Sequence, residues 1–302
     1  VNAGLADWRG DDIRHHQNRL GDGKRMAEPG DSELRLRVKS ALILVALTLT
    51  LTCAGAQTFA ALIIVFAALM SWEWARVVRG RADDAIFFLQ VIAIGAAGIL
   101  TLINYPASAV GIIVLATWLS FWIHRISKIS NDPWWTAAGV YYAGFPAIAL
   151  IAIREDPDYG LLAILYLFLV VWSADTGAFF VGRLFGGPRL APSISPNKTW
   201  SGLFGGAFFA GLAGLAFALW LGNTSAPMLT ALSVFLAMVS QGGDLGESFI
   251  KRVFGIKHSS GLIPGHGGVL DRLDGLVFAA IGAGLVAVAV DPLKPGRALL
   301  IW

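Results

Sequence analysis

Long stretches without charge dominate the chain. Between successive Asp, Glu, Lys and Arg residues lie six of them, at 40–72, 85–124, 133–153, 159–174, 199–243 and 275–290, with lengths of 33, 40, 21, 16, 45 and 16 residues. A spanning helix needs ~20 mostly apolar residues, within a range of ~17–25. The three longest stretches each hold two spans, because each is broken near its middle by polar or turn-forming residues. The breaks are Ala54-Gly55-Ala56-Gln57, Asn104-Tyr105-Pro106 and Gly222-Asn223-Thr224-Ser225. The other three hold one span each, which predicts nine spans, within a range of eight to ten. The runs are continuous and do not alternate, so helices are expected and not the strands of a barrel. The predicted fold is all-α, a polytopic transmembrane helix bundle.

Composition agrees. The chain of 302 residues is 56% hydrophobic and 14% charged, against roughly 25% charged in ordinary soluble domains. That excludes a disordered protein, a nucleic-acid-binding domain and most soluble enzymes. The single cysteine, Cys53, excludes a disulfide framework or a cysteine metal cluster. Orientation follows from the basic residues flanking the spans. With the N-terminus placed in the cytoplasm, the stretches 31–39, 73–84, 124–132, 173–198 and 244–274 carry fifteen Lys and Arg, while the opposite side carries only Arg154, Lys294 and Arg297.

Residues 1–33 are expected to be a disordered tail, with Met26 a candidate native start. A signal peptide over the first apolar run is a weaker reading, because the next run begins at once and no soluble domain follows. Residues 34–172 carry few ionisable groups, all near expected loops, and are read as membrane scaffold. Residues 173–291 hold nearly all the unusual polar residues and form the expected catalytic region, followed by a C-terminal tail at 292–302.

Three polar segments carry candidate chemistry. The first runs from Ser173-Ala174-Asp175-Thr176-Gly177-Ala178 through Gly182-Arg183-Leu184-Phe185-Gly186-Gly187 to Ser193-Ile194-Ser195-Pro196-Asn197-Lys198-Thr199. Its Gly and Pro content predicts a loop after the span. Its hydroxyls, lysine and approachable backbone amides suit phosphate oxygens, although a solvated loop would look similar. The second is Asp244-Leu245-Gly246-Glu247-Ser248-Phe249-Ile250-Lys251-Arg252. Helical spacing puts Asp244, Glu247, Ser248 and Lys251 on one face. Carboxylates at a membrane boundary are costly unless paired, hydrated or bound to a cation. The alternative is an internal ion pair of Asp244 or Glu247 with Lys251. The third is Gly265-His266-Gly267-Gly268-Val269-Leu270-Asp271-Arg272-Leu273-Asp274. Its two acids begin the last span, where they suit a metal or phosphate site, or simply cap the helix.

Asp175, Asp244, Glu247, Asp271 and Asp274 are thus expected on one membrane face, together with Arg183, Arg189, Lys198, Lys251, Arg252, Lys257 and Arg272. Hard oxygen ligands suit Mg²⁺, which takes one or two carboxylates plus substrate phosphates. The adjoining bases suit a nucleotide or polyphosphate. An opening to lipid suits a substrate with acyl tails. These residues predict a metal-assisted enzyme acting on phosphate groups of a lipid.

The pattern Ser248-x-x-Lys251-Arg252-x4-Lys257, followed by His266-Gly267-Gly268-x-x-Asp271-Arg272-x-Asp274, resembles the signature of phosphatidate cytidylyltransferases. Asp175-Thr176-Gly177-Ala178 and Ser193-x-Ser195-Pro196-x-Lys198-Thr199 are similar to further blocks of that family in order and spacing. The resemblance implies that CTP and phosphatidate give CDP-diacylglycerol and pyrophosphate with Mg²⁺, alone or with a second cation, in a homodimer among membrane lipids. It implies Asp244 and Asp271 as principal metal ligands, with Glu247 and Asp274 beside them. Lys198 and Lys251 join the two aspartates as catalytic candidates. Ser195, Arg252, Lys257, His266, Arg272 and Asp175 become candidate substrate contacts. Two positions depart from the family pattern, which commonly has acids where His258 and Ser201 stand here. Neither position is therefore expected to be an indispensable ligand.

Short loops and the lack of a eukaryotic targeting signal suggest a bacterial inner membrane, with the active site facing the cytoplasm. Among rivals, the alcohol phosphotransferases that consume CDP-diacylglycerol carry Asp-Gly-x-x-Ala-Arg, whereas Asp274-Gly275 is followed here by Leu276-Val277-Phe278-Ala279. A CTP-dependent lipid kinase is the other enzymatic rival. A transporter would place its charges near the midplane, often in duplicated halves, and no halves are evident.

Overall fold

The computed structural model describes residues 31–222, 226–263 and 267–302. Nine long helices occur among them: α1 (Asp31–Ala54), α2 (Ala56–Arg79), α3 (Ala85–Leu102), α4 (Pro106–Ile126), α5 (Pro133–Glu155), α6 (Gly160–Phe185), α7 (Trp200–Trp220), α8 (Ala226–Val253) and α9 (Leu270–Val290). Helices α2 to α9 are long and apolar enough to cross a membrane, while the apolar part of α1, Val38–Ala54, is shorter. The chain is an all-α, integral membrane bundle. Residues 1–30 of the expected tail lie outside the described residues, and α1 already begins at Asp31. A short helix, α10 (Pro295–Leu300), occupies the expected C-terminal tail and buries Ala298, Leu299 and Leu300.

The three expected breaks fall where the long uncharged stretches are interrupted. Gly55 separates α1 from α2, residues 103–105 separate α3 from α4, and the third break lies between α7 and α8. The two shortest stretches belong to longer helices than charge alone indicated, since α6 runs on through Asp175 and Arg183 and α9 includes Asp271 and Asp274.

The loop expected after Ala174 is corrected by the same finding. Helix continues through Gly177 and Gly182 and stops only at Gly186, which has φ 59°. The reason is packing. A Cβ on Gly177 would stand 2.8 Å from Phe209 Cβ and 3.0 Å from the Gly205 carbonyl on α7. Small residues in membrane helices let backbones approach closely, and that contact outweighs their low helix propensity. Gly177→Leu is expected to overpack this seam and cost about 1–3 kcal/mol, read as a lower unfolding midpoint in detergent. An unchanged midpoint would show that the seam does not constrain the fold.

After Gly186 and Gly187, strands β1 (Arg189–Ala191) and β2 (Ser195–Thr199) pair antiparallel, with Arg189 opposite Thr199 and Ala191 opposite Ser195. Thr199 then caps α7 by accepting from Gly202 N–H at 3.1 Å.

Alternating helix directions collect the C-terminal ends of α2, α4, α6 and α8 with the N-terminal ends of α3, α5, α7 and α9. Arg79 clamps Asp84 through two bonds of 3.0 Å, and Trp74 Nε1 donates to the Trp135 carbonyl at 2.8 Å. Burial acts to raise the Asp84 pKa, but the Arg79 bonds and the Phe87 N–H outweigh it and hold the carboxyl below its ordinary range. At the opposite end, Arg154 reaches the Thr52 carbonyl at 3.1 Å and Asp156 accepts from Arg297 N–H at 2.9 Å. Between α2 and α5, Gln90 donates to Ser120 Oγ and the Thr136 carbonyl and accepts from Ser71 Oγ. Ile92, Trp118, Leu285 and Val288 are exposed, as side chains facing lipid are.

Candidate active site

Two hollows meet at Asp175. The polar one, of about 730 Å³, is lined by Asp175, Arg183, Arg189, Asn197, Lys198 and Asp244 among others. It forms where the end of α6, the β-hairpin, the start of α7 and the last turns of α8 converge. The apolar one, of about 420 Å³, runs between α1, α2, α5, α6 and α9 and carries Asp175, Arg272 and Asp274 among its lining residues. Both volumes lie within the ~300–1,000 Å³ common for small-molecule sites.

The second polar segment folds as its spacing predicts, on the last turns of α8. Lys198 Nζ stands 2.6 Å from Asp244 Oδ2 and 3.4 Å from the Gln241 carbonyl. Lys251 Nζ stands 2.6 Å from Glu247 Oε2 and 2.9 Å from Asp271 Oδ1. The Glu247–Lys251 pairing is therefore present, and Asp244 pairs with Lys198 and not with Lys251. Despite the short approach of Lys251, neither Glu247 oxygen has an aligned hydrogen-bond partner. The contact is an ion pair without hydrogen-bond geometry.

The third segment divides its two acids. Asp271 Oδ2 accepts from Gly268 N–H at 3.0 Å and Ser259 N–H at 3.2 Å, so this side chain also caps the start of α9. Asp274 accepts from Gly275 N–H at 2.8 Å. It also feels the charges of Asp244, Glu247 and Asp175. Like charges held this near one another favour a cation between them. As the side chains stand, no group of three or more acids, histidines or cysteines among the described residues is arranged to hold a metal ion.

Sequence comparison decides the family. The family model described as "Cytidylyltransferase family" matches residues 35–289. The chain belongs to the cytidylyltransferase family. It is 40% identical over 257 residues to a protein named phosphatidate cytidylyltransferase from Brucella suis biovar 1, covering 82% of this chain and 91% of that one. A protein of the same name from Haemophilus influenzae is 32% identical over 292 residues, with 82% and 96% covered. Another, from Staphylococcus haemolyticus, is 43% identical over 140 residues, covering 46% and 53%.

Within this cytidylyltransferase fold, the remaining candidates fall in different places. Arg272 lines the apolar hollow. Ser195 opens β2, outside the lining of both hollows. Arg252 donates to the Ile194 and Ile256 carbonyls at 3.3 Å and so braces the hairpin turn. Lys257 is exposed and lines neither hollow. His266 lies outside the described residues. The two departures from the family pattern also have places. His258 Nδ1 lies 3.6 Å from Asp271 Oδ2, and Ser201 hydrogen-bonds Thr199 at 3.0 Å and the Gly186 carbonyl.

Sequence reasoning passed over Gln241, which lines the polar hollow and donates to the Leu203 carbonyl at 3.3 Å. It also passed over Glu73 on α2, which is fully buried. An acid flanked by tryptophans in an apolar helix was the available signal, since such a group demands partners.

Proposed function

We infer that this membrane enzyme transfers the cytidylyl group of CTP to phosphatidate, giving CDP-diacylglycerol and pyrophosphate. The carrying observation is the meeting of the two hollows at Asp175. One offers Arg183, Arg189 and Lys198 to a polyphosphate, and the other offers an apolar lining with Arg272 at its polar part. The names of the relatives support the same pair of substrates.

In this reading a phosphatidate phosphate oxygen attacks the α-phosphorus of CTP. A new P–O bond forms, the bond between the α- and β-phosphates breaks, and pyrophosphate carries away the electron pair. Both reactants are anions, so the fixed cations lower their mutual repulsion and hold them in line. Lys198, held by Asp244 on the wall of the polar hollow, and Lys251, held by Glu247 and Asp271 outside the lining of both hollows, are positioned without needing to search for a rotamer. No side-chain nucleophile is required.

Asp244 and Asp271 are the carboxylates proposed as the principal Mg²⁺ ligands, with Glu247 and Asp274 beside them; substrate phosphates would complete the ligand set that these side chains leave open. When bound, the ion neutralises phosphate charge in the transition state. We further place the site on the cytoplasmic face of a bacterial inner membrane, on the distribution of basic residues, and propose a homodimer on family resemblance.

The test is a turnover assay on purified protein with CTP, phosphatidate and Mg²⁺. Stoichiometric CDP-diacylglycerol and pyrophosphate are expected, and excess chelator is expected to lower the rate by at least about 100-fold. Failure to form CDP-diacylglycerol would overturn the substrate assignment. Full activity in excess chelator would overturn the metal.

A further inference from the structure

We propose that Glu73 is a positioning residue for cytidylyl transfer, tying the scaffold helix α2 to the start of α9 and thereby fixing Asp271 and Lys251. The inference rests on the reading above for its kinetic arm alone. Glu73 lies six residues inside the end of α2 and is fully buried. Its Oε1 accepts from Val269 N–H at 2.9 Å and from Ser260 Oγ. Its Oε2 accepts from Leu270 N–H at 2.7 Å and Ser259 Oγ at 3.0 Å. Two of the four donors are backbone amides at the start of α9, which lack partners within that helix. The other two are hydroxyls of the segment joining α8 to α9.

This arrangement solves a costly problem. A carboxylate buried in a membrane protein is tolerated only when its lone pairs are met. Here they are met by elements almost two hundred residues further along, with separations of 186 to 197 positions. One partner of Glu73 is a single step from the candidate chemistry. Ser259, whose hydroxyl bonds Glu73, gives its N–H to Asp271. Gly268 also donates to Asp271, and a Cβ there would stand 2.5 Å from Glu73 Oε1. Asp271 then holds Lys251 at 2.9 Å, and Lys251 holds Glu247 at 2.6 Å. The α2 end of this chain is itself fixed, since the neighbouring Trp74 is bonded to the Trp135 carbonyl.

Glutamine keeps the shape of Glu73 but turns an amide toward donors, so at least one of the four bonds is lost. Glu73→Gln is expected to lower kcat about 100-fold, the scale of a small misplacement of reacting groups, while KM for CTP and phosphatidate stays within roughly twofold. Ser260→Ala, a gentler change, should lower kcat about tenfold with the same unchanged KM. Ser71→Ala serves as the structural comparison. Ser71 lies on the same helix as Glu73, and its loss removes a buried bond to Gln90 on α3, which should leave kcat per folded molecule unchanged. Hydrogen exchange supplies a readout independent of turnover, with faster exchange of the 267–272 amides expected in Glu73→Gln and Ser260→Ala but not in Ser71→Ala.

Unchanged exchange at 267–272 in Ser260→Ala, or a kcat loss in Ser71→Ala as large as in Glu73→Gln, would overturn the proposal. If Glu73→Gln does not fold, Ser260→Ala decides alone. A parent protein that exchanges as expected but forms no CDP-diacylglycerol would sink the substrate reading and leave the brace standing.

Discussion

Asp244→Asn is expected to lower CDP-diacylglycerol formation by about 10²–10³-fold, the scale seen when one preorganised electrostatic group is removed from an active site. The substitution keeps the size of the side chain and removes its charge. Asp244 stands 2.6 Å from Lys198 on the wall of the polar hollow, so two losses follow. The hollow loses a candidate metal ligand, and Lys198 loses the partner that fixes its position. The second loss is smaller, because a lysine facing a polyphosphate finds new anionic partners when substrate arrives. Lys198→Met separates the two, and should raise KM for CTP more than it lowers kcat. The fold should persist in Asp244→Asn, because Asp244 is partly exposed and its ion pair with Lys198 is of the kind worth little to stability. Measured by pyrophosphate release from CTP with phosphatidate present, an Asp244→Asn rate within tenfold of the parent would remove this residue from the chemistry.

Lys251→Met is expected to act on stability as well as activity. The side chains of Lys251, Glu247 and Asp271 are 14%, 4% and 5% exposed, which makes this a buried triad and not a surface pair. Removing the cation leaves two carboxylates facing each other with little water. Breaking a buried pair in this way costs about 3–5 kcal/mol. The unfolding midpoint in detergent should fall clearly, and turnover should fall with it. Adding Glu247→Gln to Lys251→Met should recover part of the stability, because it removes one of the stranded charges, but not the turnover. A Lys251→Met midpoint equal to that of the parent would mean that the carboxylates find other compensation.

The membrane architecture was legible because a bilayer punishes charge so heavily that its absence marks the spans. Gaps between charged residues located the helices, and the glycine- and proline-containing interruptions located the turns. The same rule misjudged helix ends. Asp175, Arg183, Asp271 and Asp274 all lie inside helices, since a charged residue lining a hollow need not end a helix. The β-hairpin at 189–199 carries only a loop signal in the sequence, because two strands of three and five residues leave too short an alternation to recognise. At the site, helical spacing put Glu247 one turn from Lys251, and the structure pairs them. Spacing could not show that Asp244 would turn to Lys198, because that contact joins separate elements. The partners of Glu73 are hidden for the same reason, although the buried acid itself shows in the sequence. It ends an uncharged stretch in the sequence, and only the fold brings the beginning of α9 to it.

The depth of Asp175 has a consequence for how the two reactants travel. Ten residues separate it from the end of α6 at Phe185, or about 15 Å along the helix axis. Exposing an acyl chain to water costs about 0.8 kcal/mol per methylene, so lifting phosphatidate that distance would be prohibitive. A recessed carboxylate lets the lipid keep its tails in the bilayer while the soluble nucleotide makes the journey inward.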